Sequence, residues 1–163
     1  MKGYKAFYKG LINKSNLQFE EGKTYSVEGN ARYGQKGNGF HFCKRLEDTL
    51  RYFCFEEDIE FAEVTSLGDL AEYHDHYNGF FNMYCTNKIR IDRVLKREEV
   101  ISMFLEMDGH ENPRLNRFIS LYPLTKEEIE MFKSKFKDEK FVLDTIFYYQ
   151  ENQEDLSEKQ YNK

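Results

Sequence analysis

The sequence contains no tryptophan and two prolines, and none of its apolar runs approaches the length of a membrane span. Its three cysteines, Cys43, Cys54 and Cys85, are an odd number at spacings that match no zinc motif, so buried reduced thiols are expected. The N-terminal stretch MKGYKAFYKG lacks the continuous apolar region of a secretory signal. We therefore expect a cytoplasmic protein that does not associate with membranes.

Excess positive charge is also lacking, because 29 acidic residues outnumber 24 basic ones and the net charge is −5. No field of the whole molecule would draw the chain to nucleic acid, and we expect no direct nucleic-acid binding. Basic residues are nevertheless concentrated in the first 45 positions, among tyrosines. This arrangement fits a groove for an anionic ligand such as a nucleotide, or the solvated faces of amphipathic strands, and the second interpretation is favoured.

The sequence has no G-x-S-x-G, P-loop or H-E-x-x-H motif, which excludes the commoner hydrolases, nucleoside triphosphatases and zinc peptidases. Cys43 lies two residues after His41, too close in sequence to form a nucleophile and base pair unaided. His74 and His76 would share one face of an extended segment, as metal ligands do. A third ligand could come from His41, Cys85 or Glu72. No second ligand pair has motif spacing, so no metal site is predicted and polar loop residues are expected.

Aromatic residues are abundant, at 17% of the 163 residues, with 15 Phe and 12 Tyr. This supply of large rings indicates one packed domain with a proper core. The stretch 33–53 organises the rest of the chain. A loop with Gly34, Gly37 and Gly39 leads into the apolar run Phe40–Cys43, and Leu46, Leu50 and Phe53 then recur at helical spacing. This pattern predicts a strand and a covering helix over 45–54, and the inner face of that helix also includes Cys54. The glycines would let the backbone closely approach a ligand, a partner or another strand.

Alternating or short apolar segments predict five strands, over residues 2–8, 23–27, 40–43, 59–67 and 88–95. Residues 69–87 are interpreted as a loop around a short strand or helical turn. From Lys96 onward, apolar residues at helical spacing predict four helices, near 98–107, 113–119, 126–136 and 138–149, with Asn112, Thr125 and Asp138 as N-caps.

Segregated strands and helices define the α+β class. We expect a small, mostly antiparallel N-terminal sheet with one covering helix over residues 1–95. A helical extension packed on it would follow over residues 96–150, and residues 151–163 would form a polar, flexible tail.

Five short segments of the chain resemble, in order, a family of small proteins common in phages and other mobile elements, with no established activity. The segments cover about the first 95 residues and are Lys5–Phe7, Glu21–Tyr25, Gly39–Cys43, Phe61–Val64 and Lys88–Ile91. The resemblance implies a phage or mobile-element protein, in which the helices after Lys96 are an addition.

The glycine-rich loop before Gly39-Phe40-His41-Phe42-Cys43 is also similar to a region of mono-ADP-ribosyltransferase-like proteins, which bind NAD in a cleft. That resemblance implies catalytic roles for His41 on the second strand, Glu63 as the acid, and Tyr4 or Lys5 on the first strand. The residues expected to contact NAD would be Gly37, Gly39, His41 and Tyr25. The sequence departs from the pattern at Cys43, where serine or threonine is usual, and on the first strand, which has no histidine or arginine.

The leading hypothesis is a binding protein without a cofactor that occupies a host protein, as anti-CRISPR and other counter-defence proteins do. An acidic chain complements the basic channels of proteins that handle nucleic acid, so such a host factor is the expected partner. Its binding surface is expected on the helices after Lys96, where acidic residues cluster at Glu98, Glu99, Glu106, Glu127, Glu128 and Glu130. The alternative is an ADP-ribosyltransferase-like enzyme or a binder of NAD or another nucleotide.

Overall fold

The computed structural model describes residues 1–33, 37–52, 58–74, 82–110 and 112–151. These residues form two compact units, one ending at Lys96 and the other beginning at Arg97. None of the described helices is both long and apolar enough to cross a membrane. Of the predicted tail, residues 151–163, only Glu151 is described, and it ends a helical turn. Residues 152–163 lie outside the described residues, as do Gly34, Phe53, Cys54 and His76.

The first unit is an antiparallel sheet and the second is helical. The two units together confirm the predicted α+β class. Its described strands are β1 (Lys2–Tyr8), β2 (Thr24–Ser26), β3 (Phe40–Cys43), β4 (Ile59–Ser66), β5 (Leu70–His74), β6 (Asn82–Thr86) and β7 (Lys88–Val94). Their spatial order is β2-β7-β4-β1-β3-β6-β5. The first strand of the chain is therefore central, between β4 and β3.

The two faces of the sheet carry different side chains, because successive residues of a strand point to opposite sides. One face, which we call the core face, holds the apolar cluster of the unit. Its buried members are Phe7, Leu11, Phe19, Phe40, Phe42, Ala62, Val64, Tyr84, Ile89 and Ile91. Phe19, from the segment after β1, lies over the sheet with its ring centroid 5.2 Å from that of Phe7 and 5.9 Å from that of Phe40. The opposite face, which we call the polar face, carries Tyr4, His41 and Glu63.

Residues 69–87, interpreted as a loop around a short strand or helical turn, contain two described strands, β5 and β6, which form one end of the sheet. In β6 both faces are covered: Met83, Tyr84, Cys85 and Thr86 are all buried. A strand buried on both sides shows no apolar–polar alternation, which is the signal that sequence periodicity detects. There is therefore no clear strand signal for β6 in the sequence, although β6 pairs with β3 over four residues.

The helix predicted over 45–54 is a short 3₁₀ helix, Glu47–Tyr52, in the described residues. The Thr49 amide and hydroxyl both donate to the Leu46 carbonyl, at 3.0 and 2.7 Å, and this three-residue return is the pattern of a 3₁₀ turn. Leu46 and Leu50 are buried as predicted. The tighter helix therefore still supplies apolar side chains next to β1 and β3.

The second unit contains helices α1 (Arg97–Leu105), α2 (Pro113–Leu121), α3 (Lys126–Lys135) and α4 (Lys140–Ile146), and α4 continues as a π-helical turn, Phe147–Glu151. Two predicted N-caps are confirmed: Asn112 accepts hydrogen bonds from two amides of α2, and Thr125 forms a capping box with Glu128. The prediction of Asp138 as a cap was wrong, because Glu139 occupies that position and its side chain makes no capping hydrogen bond.

Stacked aromatic rings form the interior of the second unit. The Phe118 ring lies between those of Phe104 and Tyr122, with centroids 3.7 and 4.8 Å away, and Phe132 and Phe136 extend the stack. Large rings bury much apolar area per residue, which lets four short helices form a core.

Candidate functional site

Glu63 and Tyr4 are neighbours on the polar face. Tyr4 of β1 lies opposite Glu63 of β4 and opposite Cys43 of β3, and Glu63 in turn lies opposite Arg93 of β7. The guanidinium of Arg93 donates to both carboxylate oxygens of Glu63, at 2.8 and 3.1 Å. Burial, followed by the charge of Glu63, raises the pKa of Tyr4. The pair thus offers a protonated phenol beside a carboxylate that already has a bidentate partner.

His41 occupies a separate part of the polar face, opposite Cys85 of β6. The edge of its ring packs against Tyr33, with centroids 4.8 Å apart, and Tyr33 stacks on Tyr73 at 4.4 Å. The Nε2 atom of His41 is buried and makes no hydrogen bond to any residue that the structure describes. Burial, with a smaller contribution from the Lys5 charge, lowers the pKa of His41, so the imidazole is neutral at pH 7.

Lys5 lies where β1 and β3 separate. These strands share one register pair, Tyr4 with Cys43, and the Lys5 ammonium group donates to the His41 carbonyl at 2.7 Å. Burial lowers the pKa of Lys5 to about 8. Burial also raises the pKa of the Cys43 thiol to about 12 and raises that of Cys85. Both thiols are therefore protonated at pH 7, a form that is a poor nucleophile.

Replacing Lys5 with methionine should stabilise the protein at pH 7 by up to about 3 kcal/mol, since a pKa lowered from 10.5 to about 8 costs about 1.36 kcal/mol per unit. The folded chain releases this proton near pH 8 and the unfolded chain near 10.5. The free energy of unfolding of the wild type therefore rises between those values, and the advantage of methionine shrinks. Urea unfolding at pH 7 and 9.5 measures both effects.

Lys2→Met is the matched control for this prediction, because Lys2 lies on the same strand with an exposed side chain. It should change stability by less than about 0.5 kcal/mol at either pH. A Lys5→Met variant less stable than the wild type at pH 7, with the same difference at pH 9.5, would show that the ammonium group is not penalised.

Gly39 allows a close approach to a strand of the sheet. Its φ is +127°, and a Cβ atom there would lie 2.6 Å from the Thr86 carbonyl oxygen and 2.8 Å from the Cys85 sulfur. The loop before it is held to the same strand, because the Cys85 thiol donates to the carbonyls of Asn38 and Arg32 at 3.3 and 3.6 Å. A ligand, a partner or another strand could lie beside this glycine, and in the described residues it is another strand, β6. Gly37 lies in the same loop, next to the Asn38–Arg32 bridge.

Tyr25 lies on the core face, where its ring is 4.6 Å from that of Phe19 and its backbone pairs with Ile89. His41 follows the core residue Phe40 and points to the opposite side of the sheet. His41 and Glu63 share the polar face, but β1 lies between their strands. His41 is also two residues along β3 from Cys43, the residue that is level with Glu63 across β1. Ordinary strand spacings put their Cα atoms about 12 Å apart. The structure thus brings Tyr4 together with Glu63, and places His41 and Tyr25 elsewhere.

Sequence reasoning missed the residues that hold these side chains, notably Arg93, Tyr33 and Tyr73. Arg93 belongs to a strand that was predicted, but its partner depends on register across the sheet. A β-bulge in β4 and β7, between Glu63 and Val64, further shifts that register. Tyr33 begins the stretch 33–53 and is one of the tyrosines among the basic residues of the first 45 positions. Nothing in its sequence context indicates a ring stack over a strand that was itself not predicted.

Comparison with known proteins assigns the chain to a family whose activity is not known. The profile of a family described as a domain of unknown function, DUF7666, matches residues 1–103. The chain belongs to this family, and the match covers the sheet unit and most of α1. No curated protein matches the chain significantly. No solved structure does so either.

Proposed function

We propose that this chain acts by binding another protein, as a small cytoplasmic phage or mobile-element protein that occupies and inhibits a host factor. The observation that carries the proposal is an exposed aromatic surface on the last helical segment. Phe141, Phe147 and Tyr148 are 57%, 58% and 60% exposed. We call these three residues the aromatic surface.

The core contacts of α4 come from other side chains than those of the aromatic surface. Val142 and Ile146, on the inner side of α4, are completely buried. Large rings exposed to solvent cost solubility, and exposed apolar surface marks sites of protein association. Tyrosine and other aromatic anchors also carry much of the binding energy in such interfaces.

Charge favours a basic partner. Residues 97–163 include fifteen acidic and ten basic side chains, so this part of the chain accounts for the whole net charge of −5. An acidic surface steers association towards positively charged partners and complements proteins that bind nucleic acid.

Internal contacts of the candidate residues favour binding over catalysis. The carboxylate of Glu63, on the polar face, is engaged by Arg93. The ammonium of Lys5, whose register partner Ala62 is on the core face, is engaged by the His41 carbonyl. A general acid or base must instead reach the proton it transfers on the substrate. The cofactor-free binding protein is therefore preferred to the NAD-dependent enzyme.

Co-purification of the tagged chain from its native host tests the proposal. The wild type should retain a stoichiometric protein partner, and the double variant Phe141→Ser/Tyr148→Ser should lose it. The control Leu17→Ser/Leu70→Ser also replaces two exposed apolar residues, each 43% exposed, and should retain the partner.

A clean wild-type preparation without a partner would contradict the proposal, as would equal recovery of the partner by the aromatic double variant. Calorimetry with NAD tests the alternative. Saturable heat at about 1 mM NAD or below, abolished in Glu63→Gln, would favour the enzyme.

A further inference from the structure

A groove between α1 and α3 is independent of the aromatic surface. It has a volume of about 690 Å³ and is lined by Leu105 of α1, by Glu106 directly after that helix, and by Glu127, Glu130, Met131 and Lys135 of α3. We call these six residues the acidic groove. Met131 is 49% exposed although it is a large apolar side chain. The groove therefore combines an apolar floor with a net negative rim of three carboxylates and the ammonium group of Lys135.

Carboxylates outnumber ammonium groups on the rim, three to one. Glu106 and Glu127 form no ion pair or side-chain hydrogen bond with any residue in the described part of the chain. Glu130 has an exposed pair with Lys133 at 3.4 Å, and Lys133 also bonds Glu151. Glu128, by contrast, is turned to Arg97, which donates to both of its oxygens. The acidic residues beside the groove thus divide into one that stabilises the fold and three that face solvent.

We propose that the acidic groove binds an amphipathic, lysine- or arginine-rich α-helix of a partner protein. Its apolar side chains would contact Leu105 and Met131, and its cationic side chains would reach Glu106, Glu127 and Glu130. Methionine suits this role because its unbranched side chain adapts to different apolar surfaces. The negative rim repels nucleic acid and anionic lipid, which leaves a basic polypeptide as the complementary occupant.

A helix fits the groove better than an extended strand. Both walls are α-helices, whose backbone amides and carbonyls are already paired within each helix. An added strand would find no backbone partners there, whereas a helix satisfies its own backbone and offers side chains at i, i+3, i+4 and i+7. The walls are nine and ten residues long, so they match about two to three turns of a partner helix.

Fluorescence anisotropy with model peptides tests the inference on the full chain. The probe is a labelled 14-residue helix of leucine and lysine, with leucines at i, i+3, i+4 and i+7. One control peptide has the same composition in scrambled order, and another replaces every lysine with glutamate. We expect the amphipathic lysine peptide to bind with a Kd below about 100 μM and the two controls to bind at least about tenfold more weakly.

Charge reversal locates the site. Glu127→Lys/Glu130→Lys should weaken binding of the lysine peptide by at least about tenfold, and Asp138→Lys, an exposed reversal outside the groove, by less than about threefold. Met131→Ser should weaken it without a change in charge. Circular dichroism of each variant checks that the helices remain folded.

Three results would overturn the inference. One is the absence of binding of the lysine peptide, and another is equal binding of the scrambled peptide, which would indicate charge attraction alone. The third is a dimer in sedimentation that Glu127→Lys/Glu130→Lys dissociates, since the occupant would then be a second copy of this chain.

Discussion

Replacing Gly39 with alanine should destabilise the sheet unit by at least about 3 kcal/mol, the combined cost of a strained backbone and an overpacked contact. At φ +127° an L-residue is strained, and the new Cβ would lie 2.6 Å from the Thr86 carbonyl oxygen. That oxygen cannot easily move, because Thr86 pairs with Phe40 on one side and with Leu70 on the other. Urea unfolding followed by far-ultraviolet circular dichroism measures the loss.

Gly22→Ala is the control that separates backbone strain from the contact of the new Cβ atom with β6. Gly22 also has a positive φ, +78°, but a Cβ there would meet nothing within 4 Å. Its replacement should cost about 1–2 kcal/mol, the price of the left-handed conformation alone. Equal losses for the two variants would show that β6 yields to the added methyl group, and the close approach at Gly39 would then have no structural importance.

Local sequence signals predicted β1 and the caps of two helices. β1 was predicted with the bounds that the structure has, from the alternation of Tyr4, Ala6 and Tyr8 with Lys5 and Phe7, although Ala6 and Phe7 are both buried. The caps of α2 and α3 were readable because Asn112 and Thr125 bond to amides only two or three residues away. Interactions this short in sequence are contained in the local pattern.

The candidate site could not be predicted to the same extent, because it depends on contacts between distant residues. Arg93 reaches Glu63 across thirty residues, and Lys5 reaches His41 across thirty-six. Strand order and register decide these pairs, and a shift of one residue would move each side chain to the other face. The family resemblance supplied His41 and Glu63 as one set, whereas the sheet separates them by a strand.

Helical spacing alone leaves the type of the helix after β3 open. Leu46 and Leu50 are four residues apart, which predicts a helix but does not distinguish an α-helix from a shorter 3₁₀ helix with the same buried side chains. The Thr49 hydroxyl bond to Leu46 favours the tighter turn. Sequence periodicity therefore gave the burial of both leucines correctly and did not determine the helix type.

Leu50→Ala should lower the free energy of unfolding by about 2–5 kcal/mol, the range for deleting a buried leucine side chain. Leu50 is completely buried, on a 3₁₀ helix that contacts β1 and β3. The cavity and the lost contacts both weaken the attachment of the short helix to the sheet. Urea unfolding of the variant and the wild type at pH 7 gives the difference.

Two controls show whether the lost volume is responsible. Leu67→Ala makes the same change at a residue that is 47% exposed, and it should cost less than about 0.5 kcal/mol. Leu50→Met keeps nearly the same volume and should cost less than about 1.5 kcal/mol, because methionine can refill the site. If Leu50→Ala cost no more than Leu67→Ala, the 3₁₀ helix would not cover the sheet in solution. The stretch 33–53 would then not be the organising element of the fold.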